Sequence, residues 1–402
     1  MKQRNKIFEI IGVLSVSLIL TSTHSISGAL PVLQQQFPEA SRSALEFLVS
    51  IPTILMTVMI ALSPVFARLL PERTIITCGL LTIGISGCLP FFLSSFHAIL
   101  LTRIFLGIGI GLLNTAAVSM VGQRFSGSLR ARLQGMRMSA ETLGQTALTL
   151  TAGFLLVFGW NYPFLIYGAA FLILFLYLAF VPRRQKGETE KAETDTAGRL
   201  PESRQASVRP KKGKITRAEI CSALFYAVFA GLLIASEVGL SLRVPTRVVD
   251  SGMGSAVTGS TVLSISIFGG FLGGISFGKL ITVLKRRMLP LFLGTAAIGM
   301  AVIALAPNLP LLTLGAVLCK FSITSCISYT FNSLSDNIPA SSLDTANAIV
   351  LVGCNLGSSV APFILKLVDL VSRQYSAPFL LYAAVLLCVS IGAFFRAHTV
   401  RS

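Results

Sequence analysis

Long apolar runs alternate with short polar segments along nearly the whole chain. Each run is about 18–25 residues long, the length a helix needs to cross roughly 30 Å of hydrocarbon. The runs predict six membrane-spanning helices before residue 182, at 7–32, 43–67, 74–94, 98–122, 133–157 and 161–181. They predict six more after residue 215, at 216–241, 255–281, 288–306, 309–332, 344–368 and 377–396. The short connections make consecutive helices antiparallel.

The segment between the two sets has a different composition. Residues 183–215 are rich in Lys, Arg, Glu, Thr and Ser and show no apolar periodicity. Such a segment buries too little surface to offset its ordering entropy, so we expect a largely disordered linker. The predicted organisation is a six-helix bundle over 1–182, this linker, and a second six-helix bundle over 216–402.

The overall composition supports a protein surrounded by lipid. Apolar residues make up 53% of the chain, charged residues only 12%, and the mean hydropathy is +0.78. A water-soluble domain is usually about a quarter charged. We therefore predict an all-α protein embedded in a lipid bilayer.

The net charge of +17 reflects membrane orientation better than nucleic-acid binding. Lys and Arg lie mostly in the connections on one side, including the linker, and no nucleic-acid-binding motif is present. Positive connections normally face the cytoplasm. This predicts a multi-pass protein of the plasma membrane with both termini cytoplasmic. On the opposite side or inside the spans lie only Arg42, Arg103, Arg243, Arg247, Lys320, Lys366 and Arg373.

The two sets of helices resemble each other in sequence. Pro163–Tyr167 reads PFLIY and recurs as PFLLY at Pro378–Tyr382, and Leu143-Gly144 recurs as Leu356-Gly357. The two copies of each motif are separated by nearly the same number of residues, and so are the two basic turns that end at Arg73 and Arg287. Duplicated halves are a common transporter plan, with the substrate held between them near the membrane midplane.

The fourth predicted helix contains an arginine followed by glycines at four-residue spacing, Arg103, Gly107 and Gly111. This pattern resembles the major facilitator superfamily. A charge at membrane depth is costly unless it faces a cavity or a partner. Glycines on one face let a neighbouring helix approach closely. Arg103 held by backbone carbonyls, or reaching to the membrane surface, is the purely structural alternative.

The basic turn after the second helix resembles the family's cytoplasmic gating loop in degraded form. Its basic residues are present, but the usual acid is replaced by Ala67, and the second copy also lacks the acid. The resemblance implies a gating role for Arg68, Arg73, Lys279, Arg286 and Arg287. The Gly-Pro pair of many drug:proton antiporters is absent, because Gly144 is followed by Gln145.

A few ionisable residues inside the spans are candidates for proton coupling or substrate binding. They are His24, Glu46, Arg103, Glu141, Glu237 and Lys320. A carboxyl group gains a proton in an apolar environment and loses it beside a cation, so a conformational change can move a proton across. Uncharged polar residues that can line a cavity or join helices are Asn114, Gln145, Asn332 and Asn355.

Each ionisable candidate also has a structural interpretation. Glu141 can pair with Arg137 one turn away, and Glu46 can be an acid at a helix start. Glu237 lies near an outer helix end, and His24 can be a hydrogen-bonded packing residue. Lys320 can pair with an acid or bind an anionic substrate.

The resemblance implies a monomeric secondary transporter that works by alternating access. The leading hypothesis is proton-coupled efflux of amphipathic or drug-like compounds, resembling the drug:proton antiporter branch. The alternative is proton-coupled uptake of a small, anionic metabolite. A membrane-embedded enzyme is least favoured, since no catalytic motif of the common classes is present. We expect small-molecule and proton partners, with no cofactor, metal or nucleic acid.

Overall fold

The computed structural model describes residues 2–125, 127–182, 216–339, 342–372 and 374–399. All regular secondary structure in this part of the chain is helical. The first half contains α1 (Lys2–Ser17, continued by Leu30–Gln36), α2 (Arg42–Leu69), α3 (Glu72–Cys88), α4 (Phe96–Arg124), α5 (Gly127–Leu155) and α6 (Ala169–Phe180). The second contains α7 (Arg217–Asp250), α8 (Ala256–Leu284), α9 (Met288–Leu305), α10 (Leu309–Asn337), α11 (Leu343–Val371) and α12 (Ala377–Thr399). The predicted linker 183–215 lies outside the described residues.

Twelve predicted spans correspond to these twelve helices, but not all are equally apolar. Within the described residues, ten helices are long and apolar enough to cross a membrane, and eleven if the two parts of α1 form one span. The first span, predicted to be continuous over 7–32, is bent by 46° after Ser17. Ser and Thr cluster at this break, and their side chains compete for backbone hydrogen bonds, as Ser15 does with the Gly12 carbonyl at 2.9 Å.

The helix α5, predicted as a span over 133–157, is more polar than the others and is not among the ten described helices that are long and apolar enough to cross a membrane by themselves. It is nevertheless a continuous helix of 29 residues. It packs on α1 within its own half and on α8 of the other half. Because other helices cover its polar face, α5 does not need a lipid-compatible surface all round.

The internal repeat is visible in how the helices cross. A side chain at Gly144 of α5 would collide with the backbone of Leu18, at the end of the first part of α1. A side chain at Gly357 of α11 would collide in the same way with the backbone of Gly231 in α7. Matched positions of the repeat thus form matched helix crossings, which confirms the two pseudo-symmetric halves.

We expect Gly357→Ala to destabilise the protein, because the methyl group would overlap the Gly231 carbonyl and force α7 and α11 apart. Overpacking of this kind costs about 1–3 kcal/mol. Thermal unfolding in detergent measures the effect. Gly392→Ala in α12 is the matched control, since nothing lies within 4 Å of its added carbon. Equal melting temperatures for the two variants would contradict the tight crossing.

The two halves meet through α5 with α8 and α2 with α11. We call the face that holds residue 2 the inner face, following the predicted orientation, and the opposite face the outer face. Near the outer face Ser260 of α8 lies against Gly28 and Gly153 of the first half. The rings of Phe47 and Phe363 meet there as well, 5.9 Å between centroids. These contacts join the two halves near the outer face.

Candidate functional site

Three of the predicted polar residues converge between the two halves, and His24 is the first of them. It follows the break in α1, so its imidazole projects towards the second half. Its Nε2 lies 3.3 Å from Ser358 Oγ in α11 and 3.4 Å from Thr53 Oγ1 in α2. Its Nδ1 is buried and has no hydrogen-bond partner among the described residues. His24 therefore contacts both halves through Nε2, while its Nδ1 has no hydrogen-bond partner among the described residues.

The other two, Glu237 and Lys320, form an ion pair between α7 and α10. Lys320 Nζ donates to Glu237 Oε1 at 2.7 Å. The lysine side chain is only 4% exposed, whereas that of the glutamate is 25% exposed. A lysine so deeply buried needs a counter-charge, and Glu237 supplies it. The pair combines a buried cation with a partly exposed acid.

His24 lies within electrostatic range of both members of this pair, although its hydrogen-bonding contacts are with Ser358 and Thr53. The three side chains come from α1, α7 and α10, and Ser358 from α11 completes the group. Helices from both halves thus present titratable groups to one another well inside the helix bundle. We call His24, Thr53, Glu237, Lys320 and Ser358 the midplane cluster.

A second group of charges joins the halves nearer the outer face. Arg243 of α7 has its Nε 2.5 Å from Glu46 Oε1 in α2, and both side chains are 2% exposed. The same guanidinium donates to both carboxylate oxygens of Asp369 in α11, at 3.0 and 2.6 Å. We call Glu46, Arg243 and Asp369 the outer network. Removing one partner of such a buried ion pair leaves an uncompensated charge and is strongly destabilising, whereas an exposed ion pair contributes little.

Glu46 was predicted from the sequence, but its two partners were missed. Arg243 and Asp369 lie just beyond the predicted ends of their helices, at 241 and 368. The structure extends α7 to Asp250 and α11 to Val371, which brings both residues into the protein interior. The available signal was one cation and two acids, each within a few residues of the predicted outer end of α2, α7 or α11.

An exposed ion pair accompanies the outer network. Arg42 Nη2 lies 2.6 Å from Asp250 Oδ2, which links the start of α2 to the end of α7. Both side chains are about one-third exposed or more. Surface pairs of this kind contribute little to stability. The Arg42–Asp250 pair therefore connects the two halves but adds little to the stability of their contact.

Arg103 lies apart from both groups, inside the first half. It is fully buried, donates from Nη2 to the Gly87 carbonyl at 3.1 Å and stacks near Phe164 and Tyr167. The Tyr167 hydroxyl in turn donates to the Ser22 carbonyl at 3.1 Å. Arg103 thus connects α3, α4 and the start of the sixth span to the break in α1. This agrees with its structural alternative, a cation held by backbone carbonyls and aromatic faces.

Glu141 also stays within the first half. Its carboxylate pairs with Arg137, one turn earlier on α5. Its carbonyl accepts a hydrogen bond from Thr21 at 3.1 Å, beside the break in α1.

The uncharged candidates are spread over four helices, α4, α5, α10 and α11. Asn114, Gln145 and Asn355 are half-buried. Asn332 is also half-buried and donates to Asp336 at 3.0 Å, one turn along α10. None of these four hydrogen-bonds to the midplane cluster among the described residues, although Asn355 lies one turn from Ser358.

The glycines of α4 face α2. Side chains at Gly107 and Gly111 would collide with Pro52 and Met59, respectively.

Among the gating-loop candidates, Arg73 donates hydrogen bonds to two backbone carbonyls at the end of the sixth span in its own half. They belong to Val181, at 2.9 Å, and Leu178, at 3.1 Å. Lys279 and Arg287 are exposed. The side chains of Arg68 and Arg286 lie outside the described part of the chain.

Comparison with known proteins gives a consistent picture of the fold. The sequence matches the family description "Major Facilitator Superfamily" over residues 12–362. Among curated proteins no sequence relative is found. Solved structures with the same fold include the xylose transporter XylE from E. coli in an inward-open conformation. It is 17% identical with a TM-score of 0.73, over 97% of this chain and 95% of that one.

Two further solved structures show the same architecture. A POT family transporter in complex with 5-aminolevulinic acid is 14% identical with a TM-score of 0.73, over 98% of this chain and 96% of that one. A bacterial homologue of the human lysosomal transporter Spinster, inward-facing and occupied, is 14% identical with a TM-score of 0.71, over 98% and 96%. The match over most of the chain and the shared fold establish that this chain belongs to the major facilitator superfamily of membrane transporters.

Proposed function

We propose that this protein is a proton-coupled, alternating-access exporter of amphipathic, drug-like compounds. The observation that carries the proposal is the midplane cluster, in which a partly exposed acid pairs with a buried lysine and a nearby histidine contacts both halves. Transporters with duplicated halves hold their substrates between the halves near the midplane. Titratable groups at that depth are costly and mark substrate or proton pathways.

Glu237 is the proposed proton carrier. In the present conformation its carboxylate accepts a hydrogen bond from Lys320 Nζ at 2.7 Å. A proton on Glu237 would cancel that attraction and release Lys320, so the two protonation states prefer different helix arrangements. In the proposed cycle, the paired state follows release of the proton to the inner side and precedes binding of a substrate from that side.

The outer network is the proposed outer gate. Glu46 and Arg243 hold α2 of one half against α7 of the other, so outward opening must separate them. Asp369 remains with Arg243 on the second half and keeps the arginine paired when the gate opens. On opening, the Glu46–Arg243 salt bridge would be replaced by contacts with solvent, while the Arg243–Asp369 salt bridge would stay intact.

Export rests on the resemblance to the drug:proton antiporter branch, and the energetics suffice for it. One proton crossing 100 mV supplies roughly 2.3 kcal/mol. This sustains a gradient of about fiftyfold for a neutral solute, since each 1.4 kcal/mol is tenfold. A monomer carries out the whole cycle, because both halves and both charge groups belong to one chain.

The second candidate is proton-coupled uptake of a small anion. Lys320 favours it, because a substrate carboxylate could replace Glu237 as the lysine's partner once Glu237 is protonated. The two candidates differ in direction and in the charge of the substrate.

A substrate panel in proteoliposomes with an imposed pH gradient tests the proposal. We expect uncharged or weakly basic amphipaths to move against the proton flow and to accumulate on the proton-rich side. Movement of small anions together with protons would favour the second candidate instead. Transport of every panel member at a rate independent of the gradient would overturn proton coupling.

A further inference from the structure

A large cavity lies inside the second half, away from the midplane cluster. Its volume is about 970 Å³, and it is bounded by the inner parts of α7, α9, α10 and α12. Leu289 and Pro290 of α9 and Gly392 of α12 form part of the wall, and every lining residue belongs to the second half. The cavity therefore lies within one bundle. Binding sites for drug-sized molecules typically have volumes of 300–1,000 Å³.

The corresponding region of the first half is packed. There α1 lies against α6, with the rings of Phe8 and Phe180 at 5.0 Å between centroids. A side chain at Gly12 would collide with Val181. In the second half, a side chain added at Gly392 of α12 meets nothing within 4 Å. The two halves share a fold, so the open space is a specific departure from their symmetry.

The lining combines aromatic rings with uncharged hydrogen-bonding groups. Rings come from Phe225, Tyr226 and Tyr329, and polar groups from Ser333 and Asn337. The Asn337 amide donates to the Tyr226 hydroxyl at 3.1 Å and to the Ser333 carbonyl at 2.7 Å, so the polar edge is preorganised.

None of the lining residues is charged. A phospholipid headgroup would leave its phosphate without a cationic partner here. An uncharged molecule with an aromatic body and one or two hydrogen-bonding groups matches both the aromatic and the polar parts of the lining.

We propose that this cavity is a loading site that binds uncharged aromatic amphipaths on the inner side before they reach the midplane cluster. Phe225 is exposed at its edge, which gives such molecules access. The loading role rests on the proposed export function, whereas binding itself does not require proton coupling. The site differs from a central substrate site because its walls come from one half only.

Photolabelling with benzophenone in lipid nanodiscs tests the site without a pH gradient. We expect saturable labelling of Phe225, Tyr226 or Tyr329, read by peptide mass spectrometry. Excess N-phenyl-1-naphthylamine, another uncharged amphipath, should compete for it. Labelling that does not saturate, or that is spread over lipid-facing side chains such as Leu305 and Val371, would overturn the proposal.

Filling the cavity provides the mutational test. Gly392→Phe should weaken the saturable labelling about tenfold or more, because the ring occupies the space that a drug-sized ligand needs. Ile391→Phe is the matched control, since Ile391 is exposed and lies outside the lining. Ser333→Phe fills the cavity from the opposite wall if Gly392→Phe folds poorly. Full labelling in a folded cavity-filled variant would contradict the assignment.

These results are independent of the proposed proton coupling. If labelling is saturable and lost on filling but transport ignores the pH gradient, the loading site stands and the coupling proposal fails. If the gradient drives transport and Gly392→Phe leaves both labelling and transport intact, the loading site fails alone.

Discussion

Replacing Glu237 with glutamine should abolish proton-driven accumulation of substrate while leaving substrate exchange across the membrane intact. The amide cannot take up and release the proton, so the gradient of about fiftyfold that 100 mV sustains would collapse to equality. Exchange needs only the conformational change with substrate bound. Proteoliposomes measure both, accumulation with an imposed pH gradient and exchange with labelled substrate on one side.

A control is needed because Glu237→Gln leaves Lys320 buried without its counter-charge, which can destabilise the fold by about 3–5 kcal/mol. The double variant Glu237→Gln/Lys320→Met removes both charges and should show the same loss of accumulation with normal melting. Glu39→Gln, at an exposed acid, should transport like the unmodified protein. Full accumulation by a folded Glu237 variant would contradict its role as proton carrier.

Replacing Glu46 with glutamine should shift the protein towards an outward-open state by about ten- to hundredfold. The substitution removes the charge that holds α2 to Arg243 across the halves, and hydrogen bonds to charged groups are worth about 1.5–3 kcal/mol. Distances between spin labels at positions 94 and 307, in exposed outer connections of the two halves, report the opening. We expect a longer-distance population that the unmodified protein lacks.

Asp369→Asn is the matched control for the outer gate. It removes an acid from the same arginine, but this acid belongs to the same half as Arg243. The control should leave the distance between positions 94 and 307 unchanged. A similar shift in both variants would mean that general loosening, and not the contact between the halves, sets the conformation.

Much of the fold was predictable from the sequence. The lengths of the apolar runs predict the membrane-spanning helices, and the internal repeat predicts two similar halves. The repeat that pairs Gly144 with Gly357 reappears as two equivalent helix crossings. Two features were less accessible. The break after Ser17 depends on side-chain competition for backbone hydrogen bonds, and the polarity of α5 makes sense only once its partners are known.

The sequence identified the chemistry of the site better than its geometry. His24, Glu237 and Lys320 were predicted as separate candidates, but their convergence depends on how α1, α7 and α10 pack. Arg243 and Asp369 were missed because hydropathy ended their helices a few residues early. Charged residues at helix ends lower hydropathy whether they face solvent or a buried partner, so the sequence signal is the same in both cases.

The alternating passage between the halves is tested most directly by the side from which Asn355→Cys can be modified. Asn355 lies on α11 one turn from Ser358, and the reporter is used in a chain whose seven native cysteines are replaced. A charged, membrane-impermeant thiol reagent is applied to vesicles of either orientation. With the outer network intact, we expect reaction from the inner side only, and Glu46→Gln should add reaction from the outer side. Equal reaction from both sides with the network intact, or none from either side, would contradict an alternating passage between the two halves.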